Sequence, residues 1–454
     1  MKKRCLIGLL LCALLLSACS KQPSADTPPS TTQTTTPSTQ PSCSHTFGQW
    51  TVQVPITDDC KQDGQEARVC TSCGETETRI LIPDHNYDEY NVCQDCLYVK
   101  YDAEAAVAEL GPISYQWYVE GDIANTNWDV KVFNGKVYRG AGDYNEDSGI
   151  TPIYAYDIAT GRWQETGFAD DEAIQHFREI NGTLYAPGLD PRESWEMGNF
   201  YILQEDGSWK KMRTLPNGIH NFDLIEFDGK LFAGLGTDYQ YNTTAYSTDG
   251  GETFQYAPMY KDGKLFEDSA YEYTRNYEFM VYKGQLYSLM RFVKNVGSDY
   301  GFFRYEDGKM IYVGDASAYA GGRAYNRGFF SGKFEFNGRY YVTAGDLFAI
   351  TDFSGETDGK KIAMPGDEGV VDALLQDGVM YVLATAPAGD QGHKIVIYKS
   401  ATGEEGSFEE VLSFHYPVLP CAFDMDGTDF YLGMNMDNDH DAQSGMLLRA
   451  RATN

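Results

Sequence analysis

Six of the ten cysteines fall between Cys43 and Cys96, in company with His45 and His85. Thiolates and imidazoles at this density are donors for a tetrahedral metal, and zinc is the ion that they suit. Two Cys-x-x-Cys turns set the spacing: Cys70-Thr-Ser-Cys73, followed by Gly74, and Cys93-Gln-Asp-Cys96, followed by Leu97. In such a turn backbone N–H groups point at the sulfurs. Eight donors suffice for two closed sites. One partition gives Cys43, His45, Cys70 and Cys73 to the first and Cys60, His85, Cys93 and Cys96 to the second. A catalytic zinc keeps one position open, so a full set of donors points to a structural role. Disulfides are the competing chemistry, because exported cysteines meet an oxidising environment. Under either chemistry the cross-links hold a segment too short and too poor in aliphatic residues to fold alone.

The chain that carries these residues opens with Lys2, Lys3 and Arg4, an apolar run CLIGLLLCALLL and then LSAC, ending at Cys19. A basic start, a short apolar core and small residues make residues 1–18 a signal peptide. LSAC resembles the bacterial lipobox, and the resemblance implies that Cys19 is lipidated and ties the protein to a membrane. Residues 19–42, almost all Ser, Thr, Pro and Gln after the cysteine, read as a solvated tether of the kind found on Gram-positive surface lipoproteins. Residues 43–99 resemble a small Cys/His-rich, zinc-ribbon-like module of exported Firmicutes proteins, with Phe47 in place of its first tryptophan and Leu97 in place of its second glycine. Residues 100–112 contain DAEAAVAELGP, whose N-capping Asp102, four alanines and terminal Gly111-Pro112 predict a short helical linker.

From 113 to 454 the chain is organised by a phrase that recurs seven times: β-formers, a two-residue turn, then aromatic or aliphatic residues. The turns begin at Asn134, Asn181, Asp228, Lys283, Asn337, Asp377 and Asp426. Asn-Gly and Asp-Gly suit a type I′ turn, so each phrase predicts a β-hairpin. A second hairpin follows most of the first ones, which makes the unit four strands. The expected fold is all-β, a seven-bladed β-propeller preceded by the Cys/His-rich module. The last repeat stops after its third strand, and ISYQWYVEGDI from Ile113 is the expected donor of the fourth.

Ser247, Asp249, Gly251, Thr253 and Phe254 in STDGGETF resemble the Asp-box of sialidases and related propellers, with phenylalanine for tryptophan; SATGEEGSF from Ser400 is a degenerate copy without the aspartate. The resemblance, shared with kelch-like propellers, marks a fold and not a reaction. These turns and the two-residue turns share one face of the disc. Ligands are therefore expected on the other, where each repeat enters its first strand: Trp128, His176, His220, Asn221, Tyr277 and Arg327. Aromatic rings, amides, His and Arg suit sugar hydroxyls or a peptide.

A formal charge of −30 argues against nucleic acid as a partner. Asp437, Asp439 and Asp441 alternate like the start of a calcium loop, but Ala442 and Leu448 stand where its glycine and glutamate belong. That loop, like Asp143 and Asp147, reads as solvated acid, with calcium as the alternative. A sialidase would need arginines on several blades; here Arg275, Arg291, Arg323 and Arg327 cluster in repeats four and five. No catalytic residue is assigned. The expected function is non-catalytic binding of an extracellular glycan or protein, with a glycoside hydrolase or lyase, or a scaffold in an envelope complex, as alternatives.

Overall fold

The two-residue turns set the register of the strands on either side of them. In the computed structural model, which describes residues 44–57, 60–101, 105–111, 127–142, 150–237, 242–267, 270–319, 330–354, 359–434 and 445–452, six of the seven have the expected conformation. Their central pairs, from Asn134-Gly135 to Asp377-Gly378, have φ of 48–51° and then 70–76°, the left-handed pair of a type I′ turn. The seventh slips by one residue. Asp426 pairs with Asp429, so Gly427 and Thr428 form the turn, and only Gly427 has positive φ, at 58°, as in a type II′ turn.

Each turn starts a four-stranded antiparallel unit. The first runs through Asp129–Phe133, Lys136–Gly140, Thr151–Asp157 and Arg162–Ala169. Sheets of the same order occupy 333–362 and 369–416. A fifteen-stranded sheet contains three more such runs, at 178–216, 220–256 and 273–315, joined through the single pairs Leu189↔His220 and Gly236↔Arg275. The outer edge of the last of these is covered by Met259–Lys261, which pairs with it in parallel and removes an open row of backbone donors.

The final unit uses Pro420–Asp426, Asp429–Met434 and Leu447–Arg451, and its fourth strand is Val107–Glu109. An N-terminal strand does close the last sheet, but from a different segment than expected. Residues 107–109 were expected in a helical linker and are instead extended, with Ala108 opposite Arg449. The unpaired edge of Leu447–Arg451 offers backbone partners that outweigh the helix propensity of a few alanines. Ile113–Ile123, the expected strand, lies outside the described residues, as do Cys19, Cys43, Arg327 and both acidic loops considered for calcium.

Neighbouring units share their cores. Val130, Val137, Tyr154 and Trp163 of the first unit pack with Cys421, Ala422, Tyr431 and Leu447 of the last. Carboxylates on the first strands stitch the units together. Asp129 accepts from Phe177 N at 2.8 Å, Asp223 from Phe279 N at 2.8 Å, Asp372 from Phe423 N at 3.2 Å and Asp424 from Val132 N at 2.9 Å. The other oxygen of each caps the N–H of the residue after it. Close approach at these joints needs glycine: a Cβ on Gly234 would lie 2.8 Å from the Asn276 carbonyl oxygen. Among the described residues no helix is long and apolar enough to cross a membrane.

Contacts divide the chain into two compact units, Met1–Val52 with Glu66–Arg79, and Gln53–Gln65 with Ile80–Asn454. In the smaller, Trp50 lies between the guanidinium groups of Arg68 and Arg79, at 4.5 and 4.3 Å, and these arginines pair with Glu77 and Glu66. Stacked cations and ion pairs stand where a larger domain has aliphatic core.

Ala108→Pro tests the closing strand, because proline has no N–H to donate to the ladder with Leu447–Arg451. It is expected to lower the unfolding midpoint and to speed amide exchange in residues 447–451, leaving the Asp372–Phe423 joint protected. Unchanged exchange at 447–451 would show that the strand does not close the sheet.

Candidate functional site

The Cys/His donors gather into two groups. Cys60, His85, Cys93 and Cys96 have donor atoms within 4.8 Å of one another, and so do His45, Cys70 and Cys73. Cys60 and Cys93 sulfurs are 3.5 Å apart, and His85 Nδ1 is 3.3 Å from Cys96 sulfur. These edges are close to the roughly 3.5–3.8 Å of a tetrahedron with zinc-length bonds. The described cysteines are free thiols, so the group of four fits a metal such as zinc. The first group shows three of its four expected donors, since Cys43 lies outside the described residues.

Both Cys-x-x-Cys turns prepare thiolates. Although burial opposes it, N–H groups of Ser72 and Cys73, with His45, hold Cys70 down at about 5. Asp95 and Cys96 N–H groups, with His85, do the same for Cys93, at about 6, again against burial. Gly74, with φ of 77°, closes the first turn. Leu97 adopts the same left-handed conformation, φ 61°, in the second. Its neighbourhood holds it there: the Leu97 carbonyl accepts from Trp163 N at 3.0 Å, and Gly161 O accepts from Val99 N at 2.8 Å. The second donor group is thus built against the first four-stranded unit, and the strand Val107–Glu109 follows a few residues later.

Of the expected ligand residues, Trp128, His176, Asn221 and Tyr277 are buried, at 3 %, 2 %, 0 % and 5 % exposure. An entry into a first strand is where a chain crosses into the core, and sequence alone does not distinguish that from the rim. His220 and Tyr277 do come together. His220 Nδ1 is 3.1 Å from Asp190 Oδ2, and its Nε2 is 3.2 Å from Arg275 Nη2. Since guanidinium only donates, the network assigns Nε2 as acceptor and Nδ1–H as donor to Asp190. Arg275 Nη1 lies 3.4 Å from the Tyr277 hydroxyl. Gly236 makes room, because a Cβ there would lie 2.5 Å from the His220 ring. Asp190 and Arg275 had not been expected in this group; only the aligned strand starts bring them together.

Asp190 begins a loop that is pinned from below. Arg213 holds Ser194 O and Oγ at 3.0 and 2.9 Å. Asp171, paired with Pro191, is fully buried; its Oδ2 accepts from Tyr201 at 2.5 Å and Asn199 at 3.0 Å, while Oδ1 has no partner. Burial pushes its carboxyl up to about 7, against the pull of Tyr201 and Asn199.

On the tight-turn side, a cleft of about 260 Å³ is lined by Arg178, Asn181, Asp223, Glu226 and Lys333 among others. Arg178 pairs with Asp223 at 2.5 Å; Lys333 pairs with Asp223 and, at 2.6 Å, with Glu278. Burial works against the Asp223 charge, yet Arg178 and Lys333 hold its carboxyl below the usual range. With both cations neutralised, this group clasps adjacent units. The Asp-box is likewise structural. Ser247 Oγ caps Gly251 N at 2.8 Å, Asp249 binds Thr253 N and Oγ1 at 2.9 and 2.6 Å, and Phe254 meets Phe200 edge-on. At the second copy Ser400 caps Gly403 N at 2.8 Å and bonds Ser407 instead of an aspartate.

No family model matches the chain, and no curated protein matches it. Its fold is similar to that of designed and natural β-propellers. The computationally designed protein Ika8 has TM-score 0.42 and 10 % identity, over 73 % of this chain and 97 % of that one. The β-propeller domain of the Trilobed protease from Pyrococcus furiosus gives 0.43 and 11 %, over 74 % and 97 %. BamB from Moraxella catarrhalis gives 0.36 and 11 %, over 73 % and 86 %.

Zinc analysis of the protein from Ser20 onward, purified in zinc, is expected to find roughly two ions per chain, and one after Cys93→Ser. Absence of zinc together with oxidised thiols would overturn the metal reading. A second expectation concerns pH. The folded Asp171 carboxyl, at about 7 against an ordinary value of 3.8, favours its protonated form, so its contribution is full below about pH 4 and is lost as pH rises to about 7. Wild type should therefore lose stability relative to Asp171→Asn across that window, by at most about 4 kcal/mol. Parallel pH profiles in denaturant unfolding would refute it.

Proposed function

We propose that the chain is an exported protein, anchored through a lipid on Cys19 and lifted off the membrane by residues 19–42. Its body is a seven-bladed β-propeller that binds an extracellular glycan or protein without turning it over. Zinc in the Cys/His-rich segment is structural in this reading, and calcium has no part in it.

The observation that supports binding is the Asp190–His220–Arg275–Tyr277 group on the face opposite the tight turns. It combines an ionic, a hydrogen-bonding and an aromatic element. It favours binding over catalysis because His220, the group's candidate base, is already committed to Asp190 and Arg275. A general base needs a lone pair open to substrate, and the one lone pair of neutral His220 faces Arg275. The buried carboxylates Asp223 and Glu278 are likewise taken, by Arg178 and Lys333.

The test is an array of glycans and surface proteins probed with the soluble chain from Ser20, followed by product analysis on each hit. Binding that His220→Ala weakens about tenfold, with the ligand recovered intact, is the expected outcome. Shortened or unsaturated product from a bound glycan would replace this reading by a hydrolase or lyase.

A further inference from the structure

Arg275 and Arg291 stand directly opposite each other on Tyr273–Tyr282 and Gln285–Val293. Opposed residues of an antiparallel pair project from the same face with Cβ atoms about 5 Å apart, and like charges there repel. Among the described residues neither arginine has a direct ion pair; Asp190 acts on Arg275 only across the His220 ring. Arg275 donates to His220 and Tyr277, and Arg291 Nε donates to Ser298 Oγ at 2.9 Å; all these acceptors are neutral.

The chain has 66 acidic residues against 36 basic ones. Elsewhere Arg178, Arg213, Arg304, Arg339 and Arg451 each reach a carboxylate. An acid even lies near the pair in sequence. Asp299, however, is opposite Phe292, so it points to the other face, where Lys294 and Tyr271 hold it. The surroundings are aromatic: Arg275 lies 5.0 Å from the Tyr273 ring and 5.7 Å from Phe222, and Tyr300 is opposite Arg291. Tyr273, Arg275, Arg291 and Tyr300 are all half-buried.

We infer that Arg275 and Arg291 form the receptor for the carboxylate of a uronic-acid residue in an acidic polysaccharide. This rests on the proposed binding function and names its ligand class. Guanidinium forks match a carboxylate with two parallel hydrogen bonds. Partial burial strengthens the bonds. The tyrosines flanking the forks offer faces for a sugar ring and hydroxyls for its polar edge. A net charge of −30 repels a polyanion at a distance, so recognition depends on this short-range geometry and not on a broad basic surface.

The experiment is calorimetric titration of the soluble chain from Ser20 with oligogalacturonate, its methyl ester, a neutral oligosaccharide and polyglutamate. Wild type is expected to bind oligogalacturonate. Arg275→Gln and Arg291→Gln should each weaken it about tenfold or more, and esterification should weaken it similarly. Arg291→Lys, which keeps the charge but loses the fork, should fall between. Unfolding midpoints of all variants confirm that the fold is intact. Equal affinity for acid and ester, or no affinity for oligogalacturonate, overturns the inference. Polyglutamate binding in preference to the sugar also overturns it, in favour of an acidic peptide. Neutral-sugar binding that survives both glutamine variants would overturn the inference while leaving the broader binding function standing.

Discussion

The structure depends on a carboxylate on the first strand of one unit that takes a backbone N–H from the first strand of the next. The N–H groups bound by Asp129, Asp223, Asp372 and Asp424 lie on, or directly before, the first strand of the neighbouring unit. A buried donor left alone costs more than a made hydrogen bond returns. The clasp therefore does more than add energy: at these four joints it makes a unit incomplete without its neighbour. The bond from Val132 N to Asp424 carries the same logic from the last unit back to the first, where the borrowed strand Val107–Glu109 also closes the edge.

How far this was legible in the sequence depended on the range of the interaction. Asn-Gly and Asp-Gly turns are local chemistry, and six of seven conform to it; even Lys283, a residue with no liking for positive φ, takes 48° there because the ladder on both sides fixes it. The segment Ala105–Leu110 is the opposite case. Its alanines favour helix when considered alone, and the strand exists only because Leu447–Arg451, more than three hundred residues away, lacks a partner. The clasping aspartates were missed for the same reason: each is one acid among 66, and only the ring shows which backbone N–H it faces.

The metal-binding donors were legible because Cys-x-x-Cys is also a local device, and the expected partition of Cys60, His85, Cys93 and Cys96 is the one that the fold brings together. Leu97 stands where the first Cys-x-x-Cys turn has a glycine. The fold overrules the substitution through long-range bonds from Trp163 and Gly161, the same balance that straightens 107–109. Attaching the turn to the first unit places the donor group close in sequence to the strand that closes the last one, so a metal held there would constrain a stretch of chain adjacent to the closure. The ligand face was less legible. Trp128, His176 and Asn221 have the right residue types but are buried, while Arg275 gains its meaning from Asp190 and Arg291 on other strands.

Electrostatics separates the two faces of the disc. On the tight-turn side, Arg178 and Lys333 are matched to Asp223 and Glu278 inside the protein, and a neutral, satisfied cluster holds blades together at no surplus of charge. Turns of two residues leave nothing there to vary. On the opposite side the loops are longer, and Asp190 can start a pinned excursion of chain that reaches His220. In so acidic a protein, a carboxylate for Arg275 and Arg291 would have been easy to supply from the adjacent strand. Asp299 sits one position from the one that faces Arg291, and the strand's period of two sends it to the other side. A molecule carrying a carboxylate would give Arg275 and Arg291 the direct ionic partner that no described side chain supplies.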